Sequence, residues 1–313
     1  MTPDASIFVA GHRGLVGSAV TRRLRAAGFE NLLLRERREL DLTRQARVEQ
    51  FFAAERPQYV FLCAGKVGGI LANSDKPAEF IYDNLAIQTN VIDAAFRNEC
   101  IKFLFLGSSC IYPKHAPQPM TEDCLLTGPL EPTNEWYAIA KIAGLKMVQA
   151  YRRQYGFNAI SLMPTNLYGP GDNFSLKASH VLPGLLRKFH EAKMRAAFEV
   201  EVWGTGTPRR EFLHVDDLAD ACLYLMNHYD DDSIVNVGWG TDITIGELSE
   251  LIARTVGFSG RLIFNPSFPD GTPRKLLDTR RLTSLGWMPK IGLEAGLRST
   301  YQWFLENVDG VRG

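Results

Sequence analysis

Ser6-Ile-Phe-Val-Ala-Gly-His-Arg-Gly-Leu-Val-Gly17 runs from a short apolar, β-rich segment into three glycines spaced Gly-x-x-Gly-x-x-Gly. Val16, Ala19, Val20 and Leu24 then recur at helical spacing up to Gly28, so the reading is strand, tight glycine turn, helix. Glycine at Gly11, Gly14 and Gly17 lets the backbone turn sharply, approach a pyrophosphate closely and pack the helix on the sheet. The phosphates then sit at the positive end of the helix. A plain glycine-rich turn uses the same residues, but this loop is flanked by strand and helix, as dinucleotide binding requires.

The alternation continues downstream. Strands are expected at 32–34 and 59–63, a polar-faced helix at 43–55 with Val48, Phe51 and Phe52 inward, and a long helix over Pro77–Arg97. Lys102–Leu106 is apolar on both faces, Glu135–Tyr155 reads as a helix, and 158–163 as a strand that Pro164 ends. Near-continuous apolar strands between helices mark a parallel sheet covered on both sides, so the fold class is α/β with a doubly wound parallel sheet. After Pro164 the texture changes, with Gly169-Pro-Gly171, Pro183 and Gly204-Thr-Gly206-Thr-Pro208 punctuating shorter segments. A helix at 215–229 and a strand at 234–237 return to the sheet. Thr244-x-x-Glu247 opens a helix as a capping box, and Leu293–Asn307 closes the chain as an amphipathic one. The expected division is therefore discontinuous: 1–164 with about 212–240 as the dinucleotide domain, and about 165–211 with 241–313 as a smaller α+β substrate domain.

Length and charge set further bounds. At 313 residues the chain is at the size where one core tends to split. Positive and negative side chains balance at 35 each, which argues against nucleic acid or an anionic membrane as partner. The five cysteines Cys63, Cys100, Cys110, Cys124 and Cys222 are odd in number and widely spaced, so neither a disulfide framework nor a metal site is expected, and a reducing cytoplasm fits. The N-terminus has no basic leader, and no apolar run approaches membrane-spanning length.

Three groups carry candidate chemistry. Tyr137 and Lys141 are one helical turn apart, which puts a phenol and an ammonium on one face. The cation is expected to favour the phenolate and lower the Tyr137 pKa toward working pH, which suits proton transfer at a carbonyl or hydroxyl, although the same spacing is common in surface pairs. Ser108 and Ser109 close an apolar strand, at the edge where ligands bind in such sheets. A hydroxyl there is either a donor to a developing oxyanion or an ordinary turn residue. Cys110 is either inert core or a proton-transfer group, with His180 as a possible partner. Arg35, Glu36, Arg37 and Arg38 follow the second strand, and Arg13 lies in the glycine loop. Guanidinium forks suit the extra phosphate of NADP, so NADP is favoured over NAD, with Glu36 dissenting. Lys188, Trp203, Arg210 and Lys275 are read by themselves as surface charge or as a clamp for a nucleotide diphosphate and its base.

The glycine loop, Ser108 and Tyr137-x-x-x-Lys141 together resemble the extended short-chain dehydrogenase/reductase family, which acts on nucleotide sugars. Ala64-Gly-Lys-Val-Gly-Gly-Ile70, Leu106-Gly-Ser-Ser-Cys-Ile-Tyr-Pro113, Glu131-Pro-Thr-Asn-Glu135, Met163-Pro-Thr-Asn-Leu-Tyr-Gly169, Arg210-Glu-Phe-Leu-His-Val-Asp-Asp217 and Asp270-Gly-Thr-Pro-Arg-Lys-Leu-Leu-Asp278 extend the likeness almost from end to end. Within the family these blocks are similar to those of its bifunctional epimerase-reductases. The resemblance implies a cytoplasmic homodimer that inverts C3 and C5 of GDP-4-keto-6-deoxy-D-mannose and reduces C4 with NADPH. It implies that Tyr137 protonates O4, Ser108 donates to it, Lys141 holds the nicotinamide ribose, and Cys110 and His180 act as base and acid for inversion. Cofactor contacts are implied for Gly11, His12, Arg13, Gly14, Leu15, Val16 and Gly17, then for Arg37, Asp41, Leu106, Gly107 and Lys141. They are also implied for Pro164, Thr165, Asn166, Leu167 and His180. Substrate contacts are implied for Lys188, Trp203, Arg210, Asp270 and Lys275, with Lys188 where the matched role suits Arg. The rival readings are a 4-epimerase or 4,6-dehydratase with tightly held NAD, and a non-catalytic NADP sensor.

Overall fold

The computed structural model describes residues 1–176, 179–268 and 270–308, apart from the side chains of Ile70 and Leu71. In chain order the first half comprises β1 (Ile7–Ala10), α1 (Leu15–Ala26), β2 (Leu32–Leu33), α2 (Gln45–Glu55), β3 (Tyr59–Leu62), α3 (Ile70–Asp75), α4 (Pro77–Arg97), β4 (Lys102–Leu106), α5 (Glu135–Tyr155) and β5 (Ala159–Pro164). The second comprises β6 (Asn166–Tyr168), α6 (Val181–Met194), β7 (Glu199–Trp203), β8 (Arg209–His214), α7 (Val215–His228), β9 (Val235–Val237) and β10 (Asp242–Thr244), then α8 (Ile245–Val256), β11 (Arg261–Asn265), β12 (Arg274–Lys275), α9 (Arg280–Ser284) and α10 (Leu293–Asn307).

Six parallel strands form the main sheet in the order β2-β1-β3-β4-β5-β9. Side chains alternate across it, as the period of two in an extended chain demands. Ile7, Val9, Phe61, Leu104, Leu106, Ile160 and Leu162 face a core shared with α1 and α7. Phe8, Ala10, Val60, Leu62, Phe103 and Phe105 face the core under α2, α4 and α5. Strand order reverses at β1 and β3, so the crevice beyond their carboxyl ends is the switch point where ligands bind in such sheets.

A four-stranded patch of β6, β8, β10 and β12 and a parallel pair of β7 with β11 form the rest of the sheet structure. A third core gathers Tyr168, Phe174 and Phe212 with the inner faces of α6, α8 and α10. Two expectations need correction here. Strand β5 continues through Pro164 rather than ending before it. Leu162 is the last residue that β4 pairs, so beyond it no neighbour on that side requires an N–H, and Thr165 N–H resumes bonding to Val237 on the other. Pro183, read as punctuation, lies in the first turn of α6, where a helix tolerates proline because those N–H groups have no partner within the helix.

The capping box is present as read: Thr244 Oγ1 accepts from Glu247 N at 3.0 Å and Glu247 Oε2 accepts from Thr244 N at 2.9 Å. Removing the hydroxyl leaves an N–H of α8 without its acceptor. Thr244→Ala is expected to cost about 1 kcal/mol, seen as an earlier urea midpoint, with Ser restoring most of it.

Candidate active site

The cleft is assembled where β1, β4 and β5 end and β8 begins. At the first, Gly14 is the N-cap of α1 and no side chain caps that helix, so its leading N–H groups face the crevice. A β-carbon at Gly17 would stand 2.1 Å from the carbonyl oxygen of Gly11, so only glycine allows the helix to start this close. Nδ1 of His12 is buried without a hydrogen-bond partner in the same loop. A close-approach loop, an uncapped helix start and an orphaned ring nitrogen fit the diphosphate of a dinucleotide.

At the end of β2 the arginines divide. Arg13 Nη1 lies 2.6 Å from Glu36 Oε1, and Arg38 Nε lies 3.0 Å from Glu36 Oε2. Arg35 turns away, pairing with Glu55 at 2.7 Å and lying over Phe51. Arg37 is mostly exposed and, among the described residues, pairs with Asp41 at 4.0 Å, and Asp41 also accepts from Thr43 Oγ1 at 2.8 Å. The structure thus brings Arg13 together with Arg38 rather than with Arg37.

Helix α5 carries the Tyr137–Lys141 pair to the end of β4. It lies close because of Gly144, where a β-carbon would meet Gln88 at 2.6 Å and Phe105 at 2.7 Å. Lys141 Nζ donates to the carbonyl of Leu106 at 2.8 Å and lies 5.9 Å from the centroid of the Tyr137 ring. Burial pushes the Lys141 ammonium down to about 8, opposed by the charge of Cys63. Tyr137 is pushed well above the usual phenol range, by burial first and then by Cys110, while a hydrogen bond from Ser108 opposes the rise. The expectation that Lys141 lowers the Tyr137 pKa is therefore not met. The ammonium is turned inward to the Leu106 carbonyl, and desolvation of the phenolate outweighs the Ser108 hydrogen bond that opposes it.

Ser108 Oγ accepts from Cys110 N at 3.3 Å at the head of the short turn Ser109–Ile111. Cys110 Sγ accepts from Asn134 Nδ2 at 3.4 Å and from Lys275 Nζ at 3.6 Å. Lys275 arrives on β12, far along the chain, and Arg210 stands beside it, in register, on β8. His180 is the N-cap of α6; crowding by the surrounding protein, then the charge of Lys275, hold its imidazole below the usual range, although the residue keeps solvent exposure. Ser108, Cys110, Tyr137, Lys141, His180, Arg210 and Lys275 thus surround one cleft.

The remaining candidates fall into two groups. Gly107 follows Leu106 at the end of β4, and Pro164 to Leu167 span the end of β5 and the start of β6. Thr165 Oγ1 and Asn166 Nδ2 both donate to the carbonyl of Glu211, at 3.3 Å and 2.8 Å. Farther out, Lys188 Nζ lies 5.4 Å above the Trp203 ring, which already stacks on Phe268 at 4.5 Å between centroids. Asp270 takes Thr205 N at 2.7 Å and Thr205 Oγ1 at 2.8 Å, and its own carbonyl accepts from Arg210 Nη2 at 3.4 Å.

Sequence reasoning passed over Asn134, Glu131 and Phe268 as site residues, and named Arg38 only within the arginine run that favours NADP. Asn134 faces the Cys110 sulfur, with Oδ1 buried and without a hydrogen-bond partner. Glu131 accepts from Lys114 Nζ at 3.1 Å and from Thr272 Oγ1 at 3.2 Å, and its charge reaches Arg210. The available signal was the run Glu131-Pro-Thr-Asn134 immediately before α5, because polar residues before a helix face what the helix start faces.

A model of the NAD dependent epimerase/dehydratase family matches residues 7–238. "GDP-L-fucose synthase 1" of Arabidopsis thaliana is 63% identical over 305 residues, covering 97% of this chain and 94% of its own. "GDP-L-fucose synthase" of Escherichia coli strain K12 is 58% identical over 316 residues, covering 98% of each. A solved GDP-L-fucose synthetase from Naegleria fowleri bound to NADP superposes with a TM-score of 0.92 at 28% identity, covering 100% of this chain and 98% of its own.

The buried ammonium supplies a direct test. Lys141 carries its charge below its depressed pKa and loses it as pH rises through about 8. The ¹³Cε signal of Lys141, assigned by its loss in Lys141→Arg, is expected to titrate with that midpoint. A midpoint at the ordinary 10.5 would show that the pocket does not desolvate the group.

Proposed function

The chain belongs to the NAD dependent epimerase/dehydratase family, and on that premise we propose its function: it performs the GDP-L-fucose synthase reaction, converting GDP-4-keto-6-deoxy-D-mannose to GDP-L-fucose with NADPH. The observation that carries the reading is the Cys110 sulfur beside the Ser108–Tyr137 pair, with Asn134 and Lys275 on it. Reduction alone needs donors at a carbonyl oxygen. A thiol held next to them adds proton transfer at carbon.

The C4 ketone acidifies the hydrogens on C3 and C5, so one set of donors at O4 serves two successive enolates and finally an alkoxide. Tyr137, kept neutral by burial, and Ser108 donate to O4 as its charge builds. Cys110 takes the proton from carbon and His180 returns one on the opposite face, which inverts the centre. A substrate diphosphate paired with Lys275 and Arg210 offsets the lysine charge that opposes protonation of His180. NADPH, when bound, supplies the hydride that C4 receives. Tyr137 then gives its proton to O4, and a phenol that starts protonated suits the reductive direction. Arg13 and the uncapped start of α1 would hold the adenosine phosphate and diphosphate, and Lys141 the nicotinamide ribose.

The cofactor is assigned to 1–164 with about 212–240, and the sugar nucleotide to about 165–211 with 241–313, of which 177, 178, 269 and 309–313 lie outside the described residues. The packing of α7 against α1 supports the return of the later segment to the first domain. The enzyme is assigned to the cytoplasm, where the free state of all five cysteines is at home. Among the described residues no helix is long and apolar enough to cross a membrane. It acts as a homodimer through α4 and α5, whose outer faces leave Tyr82, Trp136 and Ile139 exposed at 62%, 42% and 40%.

Incubation of the protein with NADPH and the keto-deoxy sugar in D₂O is expected to consume NADPH stoichiometrically and to place deuterium at C3 and C5. No loss of nicotinamide absorbance would sink the function. Cys110→Ser is expected to slow deuterium entry by about 10²-fold or more while the ketone is still reduced, and an unchanged rate would remove the thiol from the inversion. Trp136→Asp is expected to halve the mass seen by light scattering, and an unshifted mass would move the dimer contact elsewhere.

A further inference from the structure

The carboxylate of Glu36 lies where two guanidiniums, one of them from the glycine loop, converge. Arg13 approaches one of its oxygens and Arg38 the other, at 2.6 Å and 3.0 Å. Its backbone is held from behind: Glu36 N donates to Glu39 Oε2 at 2.7 Å, and its carbonyl accepts from Leu40 N at 2.8 Å. Glu36 is also the least exposed of the three, at 28% against 64% for Arg13 and 82% for Arg38. The charges of Arg13 and Glu36 both act on the imidazole of His12, which places this pair at the glycine loop. In a doubly wound sheet, the end of the second strand is where the adenosine ribose is read.

Two adenosine ends meet this triad differently. A 2′-phosphate is an anion that offers Arg13 and Arg38 the same forked hydrogen bonds that Glu36 now offers them, so it must share or displace the carboxylate. A bare 2′-hydroxyl is a donor, and a carboxylate at this position accepts from it. The same residue therefore weakens one ligand and strengthens the other.

We propose that Glu36 is the specificity-determining residue of the cofactor site. It competes with the 2′-phosphate for Arg13 and Arg38, accepts the 2′-hydroxyl of the unphosphorylated cofactor, and so lets this chain use NADH beside NADPH. Arg38 is then a phosphate ligand in the bound state, together with Arg13. The proposal rests on the assignment of NADPH to this cleft.

The test is calorimetric binding of 2′,5′-ADP and of 5′-AMP to the whole protein without sugar nucleotide, so that it does not depend on turnover. Glu36→Gln keeps the size of the side chain and removes the charge. It is expected to tighten 2′,5′-ADP about tenfold and to weaken 5′-AMP, raising the NADPH over NADH ratio of kcat/KM accordingly. Arg38→Gln is expected to weaken 2′,5′-ADP severalfold and leave 5′-AMP unchanged. Unchanged or weaker 2′,5′-ADP binding in Glu36→Gln overturns the role of Glu36, and unchanged binding in Arg38→Gln overturns that of Arg38. If the unmutated protein bound no 2′,5′-ADP, the NADPH assignment would fall as well.

Discussion

The absence of a side chain at Gly17 is the constraint on which the cleft depends. The first turn of α1 crosses the carbonyl of Gly11 so closely that a β-carbon would overlap it. Without that approach the positive end of α1 would stand away from the switch point between β1 and β3, and the crevice would have no anchor for a diphosphate. A second close approach sets the opposite wall. Gly144 lets α5 settle onto Gln88 and Phe105, which lowers Lys141 to the carbonyl of Leu106 and sets Tyr137 beside Ser108. Two positions without side chains thus determine the distance between the glycine loop and α5.

Strand β8 joins this frame to the substrate side. Glu211 is fully buried, and its carboxylate accepts from Gly240 N at 2.7 Å and from Leu277 N at 3.0 Å. Its backbone carbonyl takes Thr165 and Asn166 from the end of the main sheet. The neighbouring Arg210 points to Asp270, and β12 beside it delivers Lys275 to Cys110. One strand therefore sets the positions of Thr165 and Asn166, of Arg210 and of the Lys275 ammonium on the Cys110 thiol relative to each other. Buried hydrogen bonds to a carboxylate hold such a junction more firmly than apolar contact alone, because breaking one strands a charge.

The titrating groups of the cleft share a direction. Burial drives Tyr137 up and Lys141 down, and crowding by the surrounding protein with the charge of Lys275 drives the more exposed His180 down, each toward its neutral form. A pocket that disfavours charge in its resting state strengthens the interactions that a charged ligand and a developing oxyanion make on arrival. The adenosine end follows a different logic: Arg13, Glu36 and Arg38 pair near the surface, where solvent screens each pair and discrimination rests on which anion or donor fits between two forks.

Much of this was readable along the chain. Pro77–Arg97, Lys102–Leu106, Glu135–Tyr155 and Leu293–Asn307 are found at the bounds their periodicity indicates. The glycine spacing places its loop between strand and helix, and the Thr244 box caps α8. These features depend on residues within a turn or two of each other, so local pattern is enough to specify them. Helix α6 escaped because a proline looks like a stop even where the first turn accepts it. Strand β8 escaped because its neighbours β6, β10 and β12 come from three separate parts of the chain. The identity of the nucleotide-binding sheet and of the Ser108, Tyr137 and Lys141 set was thus inherent in the residue order. Which arginine faces Glu36, which ammonium reaches Cys110 and which way burial moves Tyr137 were settled by folding. These depend on desolvation and on contacts between segments far apart in the chain, and neither leaves a mark in local periodicity.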